Sequence, residues 1–78
     1  MLTQGAYRAA YGRFITKLRR ARLEAGLTQA QVAELLGKPQ SFVSKVEAGE
    51  RRVDFVELQV LAQAYGKPVA YFLDSPLP

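Results

Sequence analysis

Apolar residues recur at helical spacing along most of the chain, and no stretch shows the strict alternation of a strand. From about 8 to 25, Phe14, Leu18, Ala21 and Ala25 fall along one stripe, and Gly26 follows as a natural stop. Thr28 with Gln31 three residues on reads as a capping box. It opens a second helix whose inner stripe is Val32, Ala33 and Leu36, and Gly37 ends it. Pro39 fits the first turn of a third helix, where its missing N–H costs nothing. Phe42, Val43 and Val46 form that helix's apolar stripe, and Gly49 closes it. Asp54 and Glu57 make a second capping box, with Val53 and Leu58 placed as a hydrophobic staple. Phe55, Leu58, Leu61, Ala62 and Tyr65 then give a fourth apolar face, ended by Gly66. Pro68 can begin a last short helix through Tyr71, Phe72 and Leu73. The pattern predicts five helices and an all-α fold.

At 78 residues there is room for one core. A domain of this size buries only about 60% of its unfolded surface and is marginally stable. The predicted domain spans residues 13–74. Residues 1–12 form an extension that either continues the first helix or lies loose, and residues 75–78 form a frayed tail.

Composition removes several functions. With no His and no Cys, the commonest general base, the commonest transition-metal ligand and any thiolate are absent. No paired acids stand beside a Gly-rich loop, so an enzyme, a cofactor and a metal are not expected. No apolar run approaches the ~20 residues of a membrane span. The opening MLTQGAYRAAYGRF lacks the apolar stretch of a signal peptide, so a soluble, cytoplasmic chain without a membrane partner is expected. Eleven Lys and Arg against seven acids give +4, and Arg8, Arg13, Lys17, Arg19, Arg20 and Arg22 all precede the first acid, Glu24. Such an excess favours a polyanion only if it gathers on one face; otherwise it is a solvated basic helix.

The stretch TQAQVAELLGKPQSFVSKVEAG joins two brief helices through Gly-Lys-Pro, the outline of a helix-turn-helix. Ala33 is small where the helices would cross, and Gly37 can take the left-handed turn. Val43 and Val46 would anchor the second helix, leaving Gln40, Ser41, Ser44 and Lys45 on its free edge. Any short helical hairpin could share this spacing.

The run GLTQAQVAELLGKPQSFVSKVEAGER adds specific residues: Leu-Thr-Gln, Val-Ala, Gly, Val-Ser-Lys-Val-Glu and Gly-Glu-Arg. With them the chain resembles the phage-repressor and Cro-like DNA-binding family, the XRE family, from roughly Phe14 to Leu73. The resemblance implies a compact five-helix, lambda-repressor-like DNA-binding domain with a central helix-turn-helix, binding operator DNA as a homodimer. Two residues depart from the family pattern. Pro39 stands where a Ser or Thr usually caps the recognition helix, and Lys38 stands where an apolar residue is common.

The resemblance also implies roles. Gln40, Ser41, Ser44 and Lys45 would read bases in the major groove, Gln through adenine N6 and N7 and Lys through guanine or a phosphate. Gln29, at the start of the second helix, would hold a phosphate and steady Gln40. Lys38, Arg51, Arg52, Arg13 and Lys17 are further phosphate candidates. Arg22 and Glu47 match a partly buried ion pair between first and third helices. Tyr71, Phe72, Leu73 and Leu77 would form the dimer interface on a pseudo-palindromic duplex, although Phe72 or Leu73 could instead cap the core. Phe42 can pack in the core, which is expected, or reach a thymine methyl. The leading function is a transcriptional repressor. An antitoxin gripping a protein toxin and a protein-interaction module are the alternatives, and an acid- or Leu-rich free edge would have favoured the module.

Overall fold

Thr3 starts the first helix: its Oγ1 accepts a hydrogen bond from Ala6 N at 3.1 Å, satisfying one of the otherwise orphaned amides. The computed structural model describes residues 3–73; the expected interface residue Leu77 and the tail 75–78 lie outside them. Helix α1 runs Gln4–Glu24, α2 Gln29–Leu36, α3 Gln40–Glu47 and α4 Phe55–Tyr65, followed by a 3-10 helix at Val69–Phe72. Among the described residues there is no strand. The fold is all-helical. The fifth element is a 3-10 helix of four residues and not a further α-helix, because Pro68 caps a segment too short to close α-helical turns.

The turns follow from local chemistry. Thr28 Oγ1 accepts from Gln31 N while Gln31 Oε1 accepts from Thr28 N, a reciprocal box at 3.1 and 2.8 Å. Gly37 ends α2 in the left-handed conformation, at φ 65°, which a side chain would strain. Pro39 lies one step earlier than the first-turn position expected for it. It is the N-cap of α3, at φ −68° and ψ 154°, and contributes no side-chain bond. The second box, Asp54 with Glu57, closes at 2.7 and 3.0 Å.

Leu18 and Ala21 from α1, Val32 and Ala33 from α2, Val43 and Val46 from α3, and Leu61, Ala62 and Tyr65 from α4 form the core, with Phe72 closing one end. Ala33 is 3% exposed, and its small side chain lets α2 and α3 approach. Two residues assigned inward by periodicity are not. Ala25 is the exposed C-cap of α1. Phe55 is 62% exposed at the first position of α4, where Cβ leans back toward the helix start and away from the core.

Candidate nucleic-acid interface

The opposite faces of α3 differ completely. Val43 and Val46 are buried, at 2% and 3% exposure, whereas Gln40, Ser41 and Lys45 are exposed. Ser44 is half-buried, its hydroxyl donating back to Ser41 O at 3.4 Å. The structure thus brings the four residues to one edge, with Ser44 recessed. The single acid of α3, Glu47, is turned away from that edge.

Glu47 is held by Arg22. Arg22 Nε donates to Glu47 Oε2 at 2.6 Å and Nη2 to Oε1 at 3.0 Å, with side-chain exposures of 8% and 6%. Arg22 Nη1 donates to Leu27 O at 2.8 Å, and Gln29 Nε2 donates to Glu47 Oε1 at 3.0 Å. One carboxylate therefore joins α1, α2 and α3. The hydrogen bond to Glu47 holds Arg22 above its ordinary range, against the opposing effect of burial. Gln29 engages Glu47 where a link to Gln40 was expected: it steadies the recognition helix from the far end.

The segment after α3 is braced as well. Arg51 Nη1 and Nη2 donate to the two oxygens of Glu57 at 2.6 and 2.9 Å, and Nη1 also donates to Arg52 O at 2.5 Å. The Arg51 guanidinium lies 4.5 Å from the centre of the Phe42 ring, with Lys38 Nζ at 5.3 Å from the same ring. Phe42 is half-buried and packs against the core, as expected of it. The Arg51 guanidinium holds the Glu57 carboxyl below its usual range. Arg51 is thus spent on structure. Arg52 remains exposed and lies against Tyr7 and Tyr11.

The cations of α1 do not form one face. Arg22 points inward and Lys17 Nζ donates to Leu73 O, while Arg8, Arg13, Arg19 and Arg20 are exposed. The C-terminal apolar set also divides. Phe72 is 5% exposed and belongs to the monomer's core, so it is withdrawn from the dimer interface; Tyr71 is half-buried and Leu73 is 64% exposed.

Sequence reasoning missed Tyr7 and Tyr11. Their spacing with Phe14, at i, i+4 and i+7, was the available signal that α1 continues through the extension. No helix of the described residues is long and apolar enough to cross a membrane, and no cluster of potential metal ligands occurs among them.

Two short helices joined by a left-handed glycine, the second with an acid-free polar edge, define a helix-turn-helix protein. A helix-turn-helix family model matches residues 18–72. An XRE-family like protein from Pseudomonas syringae pv. tomato str. DC3000 is a similar solved structure. It is 39% identical, with a TM-score of 0.79 over 85% of this chain and 80% of that one. No curated protein matches. The chain belongs to the XRE family of helix-turn-helix proteins, whose kind of role is DNA binding in transcription regulation.

Proposed function

We propose that the domain is a sequence-specific repressor that reads double-stranded operator DNA with α3 in the major groove. The observation that carries this reading is the edge of α3. Gln40, Ser41 and Lys45 face outward, and the helix's acid is neutralised behind them by Arg22, so α3 itself turns no negative charge to the duplex. Gln40 would bond adenine bidentately, Ser41 and Ser44 would reach neighbouring edges, and Lys45 would take guanine or a phosphate. Lys38, Gln29, Arg52, Arg13 and Lys17 are the phosphate partners in this reading. Arg51 serves the loop. A domain this small covers one half-site, so two copies would bind a pseudo-palindrome about one helical turn apart. Leu73 and Tyr71 are the described residues of the expected pairing set that keep surface open to solvent.

Selection from randomised duplexes, with the parent, Gln40→Ala and Lys38→Ala, tests the assignment. Gln40→Ala should relax preference at one base pair in each half-site, by roughly 1–3 kcal/mol. Lys38→Ala should lower affinity evenly across sequences and flatten the salt dependence by about 0.9 in log–log slope. An unchanged preference in Gln40→Ala would refute the reading edge.

A further inference from the structure

The first fourteen residues of α1, 4–17, precede the family match, which begins at residue 18. They carry an aromatic stack that reaches the loop after α3. The rings of Tyr7 and Tyr11 lie 6.2 Å apart and nearly parallel. Arg52, from the loop after α3, rests against both, its guanidinium carbon 5.1 Å from the Tyr7 centroid and 4.5 Å from that of Tyr11. Arg52 Nη1 donates to Tyr7 Oη at 3.0 Å, across 45 residues of chain. One residue further, the Val53 amide donates to Tyr11 Oη at 3.3 Å. Tyr11 in turn meets Phe14 edge-on at 5.5 Å, and Phe14 meets buried Phe72 at 6.4 Å, so the stack is fixed to the core.

A guanidinium has five N–H donors around its edge and two flat faces. The tyrosine rings take a face and Tyr7 Oη takes one donor. The rest of the edge remains for an oxyanion, since Arg52 is exposed. An arginine held in this way has already given up the rotamer freedom that a loose side chain loses on gripping a ligand. Phosphate oxygens fit such a fork best. We propose that the extension of α1 is a clasp that preorganises Arg52 for a DNA phosphate, with Tyr7 and Tyr11 as positioning residues. This inference rests on the DNA-binding reading above, and it concerns affinity for any duplex, not the choice of sequence.

The test uses the whole chain and four proteins: the parent, Arg52→Ala, Tyr7→Leu/Tyr11→Leu, and the three changes together. Each is titrated over a range of salt against the duplex that the parent selects and against an unrelated duplex of equal length. Arg52→Ala should weaken both complexes and reduce the log–log salt slope by about 0.9. The tyrosine pair should weaken both by roughly three- to tenfold, the entropy cost of ordering one long side chain. Combined with Arg52→Ala, it should add nothing further. Melting curves identify unfolding; if the leucine pair unfolds, Tyr7→Phe/Tyr11→Phe replaces it, with a smaller loss and the same non-additivity. Losses that add, tyrosine variants that bind like the parent, or an unchanged slope in Arg52→Ala would each overturn the clasp. A parent that binds no duplex at all would instead overturn the DNA-binding reading, and the clasp with it.

Discussion

Two arginine–glutamate pairs brace the recognition helix and the loop after it, and their bonds are nearly identical in length. Arg22–Glu47 closes at 2.6 and 3.0 Å and Arg51–Glu57 at 2.6 and 2.9 Å, both bidentate. They differ in surroundings: side-chain exposures are 8% and 6% in the first pair but 40% and 18% in the second. Bond length therefore says little about worth. In the first pair both charges have left water, so each depends on the other. In the second, water can replace either partner at small cost.

Arg22→Met gives the sharpest contrast. It strands Glu47 inside the domain and should cost about 3–5 kcal/mol, a loss read directly in a denaturant melt. Combining it with Glu47→Leu should recover most of that stability, because the stranded charge is gone. If Arg22→Met melts like the parent, burial does not distinguish the two pairs.

A second effect comes from Tyr65, which packs beside the buried pair. Burial, with the Glu47 charge adding to it, pushes the Tyr65 hydroxyl up to about 12. The folded value lies above the unfolded one of about 10. The neutral form is therefore favoured on folding, and stability that is complete below about pH 10 should drain away as the pH rises toward 12. Tyr65 should ionise late in an ultraviolet titration, and Tyr65→Phe should remove both that late step and the alkaline loss.

The exposed pair should show least. Arg51→Gln is expected to shift a denaturant melt far less than Arg22→Met does. Its signature is in acid: Arg51 holds Glu57 below its ordinary range, so the pair's contribution is present above the unfolded carboxylate value and fades as the pH falls through the lowered one. Melts of parent and Arg51→Gln compared from pH 6 down to pH 2 should converge. A gap that persists at the acid end would mean that Arg51 works through its stacking on Phe42.

The chain displays its local instructions openly. Thr28 with Gln31, Asp54 with Glu57, and Gly37 in its left-handed turn are short-range devices, legible because both partners lie within one turn. The inward stripes of α2 and α3 were equally plain. What periodicity could not show were contacts that depend on where helices end up. Arg51 looked like a loop cation because nothing in the sequence says that its loop curls back onto Glu57 and Phe42. Arg52 meets Tyr7 across 45 residues. Phe55 is in phase with the inward stripe but stands at the first position of α4, where its side chain leans past the helix start and beyond the core. Phe72 and Leu73 looked alike, and only packing separated the buried ring from the exposed leucine.

The Arg22–Glu47 bridge also bears on time. Its partners stand 25 residues apart with all of α2 between them, so it closes only after three helices have docked. Two desolvated charges reward the chain when their enclosure is finished and not before. Its loss is therefore expected to leave the rate of folding nearly untouched and to speed escape from the native state, which folding and unfolding rates of Arg22→Met would show. Stranding one partner there, at about 3–5 kcal/mol, should shorten the folded lifetime by roughly 10²- to 10⁴-fold. The bridge is in effect a latch on duration, and cutting one side of it should show first in how fast the domain opens.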